Sequence, residues 1–261
     1  MKSVKDFLKV TIREAGELAK DYFEKGVSFE VKSHLADLLT VADVKTSEYI
    51  VNAIKEKYPD HSITSEELEE SINPGAEFEW VIDPIDGTRN FAVGIPMWCI
   101  IIALVHNGET ILGAVYNPIG NQLFFAERGH GATVNNMPIK VGDKDDFEMA
   151  IANFSRMPYK GEVYGHRIEE YKHFLDKLNR DTSSWIHQFG SMLPMCHMAA
   201  GGIDFCVQNA GLDHDYLAPA LIAREAGCTV TDSEGNEWKR GRQDIVATNP
   251  KLHPKVMELF N

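Results

Sequence analysis

The segment Trp80-Val81-Ile82-Asp83-Pro84-Ile85-Asp86-Gly87-Thr88-Arg89-Asn90-Phe91 sets two carboxylates three residues apart at the end of an apolar run. The run reads as a buried strand. Pro84 fixes its own φ and cannot extend a sheet, so Asp83 and Asp86 leave the strand end together. Like charges held this close repel unless a cation sits between them. Gly87-Thr88 follows, a turn that opens a helix and aims backbone N–H groups at an anion. Cation ligands beside an anion cradle are the parts that phosphoryl transfer uses. An Asp-Gly turn alone is an ordinary strand end, but the full string D-P-I-D-G-T-x-N-F combines too many special residues for that reading.

Other polar clusters accompany it. Asp37-Leu38-Leu39-Thr40-Val41-Ala42-Asp43, Tyr58-Pro59-Asp60-His61-Ser62-Ile63 and Ser65-Glu66-Glu67 lie upstream. Gly190-Ser191 and His214-Asp215 through Glu225-Ala226-Gly227 lie downstream. Taken singly, each has a plain reading. Glu66 belongs to an acidic run with Glu67, Glu69 and Glu70 of the solvated kind. Asp43 suits the cap of a helix starting near Val44. Asp215 suits the cap of a helix from Tyr216, with Pro219 tolerated only in its first turn. Asp213 competes with Asp215 as a ligand, and Lys32 reads as a surface lysine.

Taken in order, these segments resemble the inositol monophosphatase family of magnesium-dependent, lithium-sensitive phosphatases, over nearly the whole chain. The resemblance implies a layered sandwich of α+β and α/β character, the fold of the sugar-phosphatase superfamily, with alternating α-β-α-β-α layers. It implies metal ligation by Glu66, Asp83, the carbonyl of Ile85, Asp86 and Asp215, with Asp83 bridging two ions. Catalytic roles fall to Thr88, Asp43 and Glu66. Thr88 would orient the attacking water with Asp43 as its partner. Substrate contacts fall to Asp86, Gly87, Thr88, Gln208 and Asp215, and Lys32 matches a loop lysine near the metals. Two or three Mg2+ ions are implied as cofactor, a small-molecule phosphate ester as partner, and a homodimer is common among relatives.

The chemistry stands without the family. Hard oxygen ligands, with no His or Cys in the set, favour Mg2+ over Zn2+. Two cations about 4 Å apart clamp the attacking and leaving oxygens of an in-line displacement. Phosphate monoesters react so slowly unaided that positive charge at their oxygens must provide much of the rate.

The chain departs from its relatives where substrate would be gripped. His214 stands where they usually carry Trp, Gln208 where they often carry Glu, and His187 where they often carry Arg. The expected reaction is hydrolysis of inositol monophosphate or a similar polyol or sugar phosphate. Alternatives within the fold are histidinol phosphate, fructose 1,6-bisphosphate and a 3′-phosphoadenosine nucleotide. A regulatory member that has lost turnover is the rival from another class, and the intact Glu66, Asp83, Asp86 and Asp215 count against it.

These residues need elements to hold them. Apolar positions from Val4 to Phe23 recur at helical spacing and end near Gly26; a second such pattern runs from Val44 to Tyr58. Residues 78–82, 98–105, 110–116, 123–126 and 133–134 read as a mostly antiparallel meander, with a hairpin turn at Asn107-Gly108. From about residue 143, helices over 166–178, 192–200 and 216–226 alternate with strands over 151–154, 205–208 and 245–247. The expected division is 1–142, holding the antiparallel sheet and most ligands, and 143–261, supplying the last ligand and substrate contacts.

Bulk properties bound the partners. The 261 residues are 44% hydrophobic and 25% charged, an ordinary globular composition. A net charge of −13 disfavours nucleic acid as partner. No apolar run reaches membrane-spanning length, so no membrane partner is expected. The cysteines Cys99, Cys196, Cys206 and Cys228 lie in apolar runs without zinc spacing. They read as buried free thiols of a cytoplasmic protein.

Overall fold

The computed structural model describes residues 3–26, 29–31, 38–155 and 167–261. The chain opens with α1 (Val4–Lys25), an antiparallel pair β1 (Phe29–Val31) and β2 (Leu38–Thr40), and α2 (Val41–Lys57). Then come β3 (Ser62–Ser65), β4 (Phe78–Asp86), the short α3 (Thr88–Ala92), β5 (Cys99–His106), β6 (Glu109–Asn117), β7 (Gln122–Glu127), β8 (Ala132–Val134) and β9 (Met137–Pro138). These strands make one seven-stranded sheet in sequence order, antiparallel except for the β3–β4 pair. After it follow β10 (Ile151–Ser155), α4 (Ile168–Asp181), β11 (Trp185–His187), α5 (Leu193–Ala199), β12 (Phe205–Gln208), α6 (Asp213–Glu225), β13 (Thr229–Thr231), β14 (Ile245–Thr248) and α7 (His253–Glu258). Their strands form a five-stranded mixed sheet in the order β11-β10-β12-β14-β13.

Alternation along the strands builds the layers. Ile82, Ile100, Ile102 and Leu104 face one way and pack on Leu8, Ile12, Ala15 and Ile50 of α1 and α2. Their neighbours Val81, Ile101, Ala103 and Val105 face the other way and pack on α5 and α6 through Met195, Tyr216, Leu217 and Leu221. The same cluster reaches Cys206, Ile245 and Ala247 on the near face of the smaller sheet. Phe154, Phe205, Val207 and Val246 on its far face pack on Tyr171 and Phe174 of α4 and on Val256 of α7. A period of two along a strand can fill both faces only when both are covered. The result is the layered α-β-α-β-α sandwich.

Local chemistry explains most boundaries. Ser3 and Asp6 form a reciprocal capping box ahead of α1, and Gly26 ends it. Asn107 and Gly108 take positive φ, 49° and 83°, as a two-residue hairpin turn requires. Several sequence-based limits shift. The strand expected to stop at Ile82 continues to Asp86. Its pairing slips between Asp83↔Ile101 and Asp86↔Cys99, so β4 spends one residue more than β5 there. Pro84 sits inside this bulge, where a missing N–H costs no ladder bond. The second helix starts at Val41 because Thr40, not Asp43, is its N-cap. The third helix of the second half starts at Asp213, which leaves Pro219 inside it. Strands β3, β11 and β13 and the short α7 carry no periodic signal of their own. Among the described residues no helix is long and apolar enough to cross a membrane.

Candidate active site

The bulge in β4 gathers the chemistry. Asp83 is buried, and the N–H of Ile85 donates to its Oδ1 at 3.0 Å. Asp86 Oδ2 accepts from the Met192 N–H at 2.5 Å and from the Cys99 thiol at 3.1 Å. The first contact ties the end of β4 to the residue ahead of α5. Gly87 then turns with φ 90°, and a Cβ there would lie 2.9 Å from the Met97 carbonyl oxygen. Only glycine fits both constraints.

Thr88 opens α3. Its hydroxyl lies 3.0 Å from the Ile85 carbonyl and 3.3 Å from Asp43 Oδ1. Asp43 is fully buried in the first turn of α2, where its other oxygen, Oδ2, accepts from the Thr40 N–H at 2.8 Å. Asn90, two residues beyond Thr88, donates to the carbonyls of Met97 at 2.7 Å and Phe189 at 2.6 Å. That amide clamps α3 against the segment leading to α5.

Asp215 arrives from the first turn of α6, where the Leu212 N–H donates to its Oδ2 at 2.6 Å. Asp213 turns elsewhere. It accepts from Arg240 Nε at 2.6 Å and from the Gly241 N–H at 2.9 Å. Arg240 also grips Glu79 of β4 through two nitrogens, at 2.7 and 3.0 Å.

Two groups of donor atoms emerge, each with its members within 4.8 Å of one another: Asp83, Asp86 and Asp215, and Glu66, Asp83 and His214. Asp83 belongs to both. Burial pushes its carboxyl well above the usual range, and the neighbouring charges of Glu66, Asp86, Asp215 and Asp43 push it further. Burial, with Asp215 adding, pushes Asp86 up to about 7 against the opposing Met192 and Cys99 contacts. Burial also raises Asp43 to about 6, opposed by its bonds to Thr40. A divalent cation would offset this repulsion, and the donor set fits one.

The structure therefore brings Glu66, Asp83, Asp86 and Asp215 together, with Thr88, Asp43 and the Ile85 carbonyl alongside. Gln208 ends β12, its carbonyl accepting from the Tyr171 hydroxyl at 3.0 Å. His187 ends β11 and stacks on Phe189, ring centroids 4.9 Å apart. Lys32 and Asp37 lie outside the described residues. In the sequence His214 is only a departure from the family pattern; the structure puts a ring nitrogen among the donors. Its signal was its place beside Asp215. The Met192 N–H, the Cys99 thiol and the Asn90 amide were not anticipated either, since a backbone N–H carries no side-chain signature.

A layered sandwich with acidic donor groups gathered around one strand end defines a class of α+β proteins with a candidate metal centre. The chain belongs to the inositol monophosphatase family, whose sequence profile matches residues 1–261. It is 32% identical over 251 residues to Nus factor SuhB of Pasteurella multocida, covering 95% of this chain and 91% of that one. It is 30% identical over 257 residues to the fructose-1,6-bisphosphatase/inositol-1-monophosphatase of Thermotoga maritima, covering 98% and 95%. The crystal structure of extragenic suppressor protein suhB from Bartonella henselae superimposes with a TM-score of 0.91 at 29% identity, covering 100% of this chain and 99% of that one.

Proposed function

We propose that this chain hydrolyses the phosphate monoester of a small polar metabolite, a polyol or sugar phosphate such as inositol monophosphate, with Mg2+ as cofactor. The observation that carries the reading is Asp83, shared by two donor groups and set beside the Thr88–Asp43 pair. Glu66, Asp83, the Ile85 carbonyl, Asp86 and Asp215 would hold the cations. When bound, these ions supply positive charge at the phosphoryl oxygens, where the transition state needs it. The chain's own residues do the rest. Gly87 and Thr88 offer backbone N–H groups to the phosphate. The Thr88 hydroxyl leans toward Asp43 and so turns a lone pair to the attacking water. Asp43, raised to about 6 by burial, sits close enough to neutral pH to take up a proton along that line. Water attacks phosphorus and gives up a proton along that line, the P–O ester bond breaks, and the leaving oxygen takes a proton from solvent and departs as the alcohol.

The polyol end is read by Gln208 at the end of β12, with His187 at the end of β11 across the intervening β10. The Thermotoga relative's name covers both a sugar bisphosphate and inositol phosphate, which supports testing both. The four cysteines are free and buried, in keeping with a reducing cytoplasm. A second reading follows from the name Nus factor, which is not an enzyme name: a regulatory member without turnover, whose partners extend beyond small esters. The complete carboxylate set weighs against it.

The test is phosphate release from a panel of metabolite monophosphates and bisphosphates with and without Mg2+. Turnover of at least one polyol or sugar phosphate, abolished by EDTA and restored by Mg2+, is expected. A folded protein that binds Mg2+ yet hydrolyses no member of the panel overturns the catalytic reading in favour of the second.

A further inference from the structure

We propose that His214 is itself a metal ligand. Its imidazole would complete, with Glu66 and Asp83, a mixed nitrogen–oxygen position that prefers Mn2+ or a similar first-row transition cation over Mg2+. The Asp83–Asp86–Asp215 position stays all-oxygen. The proposal rests on the reading of this cluster as a metal centre.

The backbone around His214 is fixed on both sides. Asp213 is pinned by Arg240 and the Gly241 N–H, and Asp215 by the Leu212 N–H. The imidazole between them is largely buried, with 16% of its side chain exposed. One ring nitrogen lies within 4.8 Å of both a Glu66 and an Asp83 oxygen. Bonds of about 2.1 Å put donors about 3 to 4 Å apart around a cation. Small side-chain movements close that gap once a cation cancels the repulsion between the carboxylates. The rival partner is Asp215, whose Oδ2 lies 3.6 Å from Nε2. That is outside hydrogen-bond reach, so the ring is not committed to it.

Two carboxylates and a neutral imidazole match a divalent charge. Nitrogen donors favour Mn2+, Fe2+ and Co2+ over Mg2+, which keeps to oxygen ligands and its own waters. The two positions sharing Asp83 therefore differ in kind, and mixed occupancy follows when both metals are present.

The experiment uses the full-length protein, stripped of metal and reloaded with Mn2+. Pulsed electron paramagnetic resonance reads 14N modulation from a directly bound imidazole. The unaltered chain should show it, and labelling its histidines with 15N should change the pattern. His214→Gln, a polar replacement in a first helical turn, should abolish the modulation while Mn2+ still binds at the all-oxygen position. By competition calorimetry the variant should lose about tenfold in Mn2+ affinity at the mixed position, and much less for Mg2+. Bound Mn2+ without 14N modulation, or modulation that survives His214→Gln, overturns the proposal and leaves the metal centre standing. Failure of the unaltered chain to bind either cation overturns both, and calorimetry detects that before any spectrum is taken.

Discussion

Asp43 joins α2 to the head of α3 through Thr88. One carboxylate oxygen accepts from the Thr40 N–H at 2.8 Å, and the other lies 3.3 Å from the Thr88 hydroxyl. Helix capping and the proposed water orientation thus use separate oxygens of one side chain, and mutation can separate them. Thr88→Ala should lower kcat by about 10²–10⁴ with Mg2+ affinity little changed, because no donor atom is removed. Thr88→Ser keeps the hydroxyl and should retain most turnover. Asp43→Asn should lower kcat similarly and also weaken the cap, by about 1 kcal/mol. Steady-state kinetics with calorimetry of Mg2+ binding checks the split. Loss of metal binding in Thr88→Ala would refute the assigned role.

Asp83 is held in a cluster of like charges, so removing its charge should act oppositely on folding and on function. Asp83→Asn should leave the metal-free protein as stable or more so, since the largest neighbours of Asp83 are carboxylates. Turnover should fall by several orders of magnitude, and Mg2+ affinity with it. Lithium, a small cation suited to the same oxygens, should inhibit the unaltered chain at millimolar concentration. Thermal melts in EDTA and kinetics across a Mg2+ series check these outcomes. Near-normal turnover in Asp83→Asn would make the carboxylate pair structural.

Legibility in the sequence followed chemistry. The string from Asp83 to Asn90 was readable because Pro, Gly and paired Asp each constrain the backbone in a known way. The meander was readable from β-branched runs and the Asn107-Gly108 turn. The bulge was not, because a one-residue slip between Asp83 and Asp86 depends on the partner strand β5. Neither was the early start of α6: tertiary contacts from Arg240 to Asp213 fix its first turn. The place of His214 among the donors depends on three chain segments meeting, which no local pattern encodes.

Carboxylates raised by burial give the metal-free protein a distinct pH response. Asp43 at about 6 and Asp86 at about 7 stand above their ordinary value of 3.8. Between about pH 4 and 7 the folded state then binds more protons than the unfolded chain, and stability falls as pH rises. This contribution is fully present below the unfolded value and lost as pH passes through the folded ones. Cation binding, which needs the carboxylates ionised, has the opposite slope. Melts in EDTA should therefore decline from pH 5 to 8, saturating Mg2+ should flatten or reverse the decline, and Asp86→Asn should reduce it. A metal-free protein whose stability rises across that range would overturn the assignment.

Arg240 touches no proposed ligand, yet it holds two of the elements that carry them. Its guanidinium bonds both Glu79 oxygens on β4 and Asp213 at the start of α6. Those elements deliver Asp83 with Asp86 and Asp215, so the ion pair sets the spacing between the strand and helix contributions. Arg240→Ala should free the first turn of α6 and leave Asp213 and Glu79 without the guanidinium that joins them. Mg2+ affinity should fall severalfold although every ligand remains, and kcat at saturating Mg2+ should recover much of its value. Arg240→Lys should rescue only part of the loss, since an ammonium cannot span both carboxylates with a planar fork. The guanidinium is partly exposed, so its effect on stability should be small, about 1 kcal/mol or a few degrees in Tm. Calorimetry and kinetics at low and saturating Mg2+ check the pattern. A loss of kcat that excess Mg2+ fails to restore would mean that Arg240 acts on the chemistry and not on the spacing of the ligands.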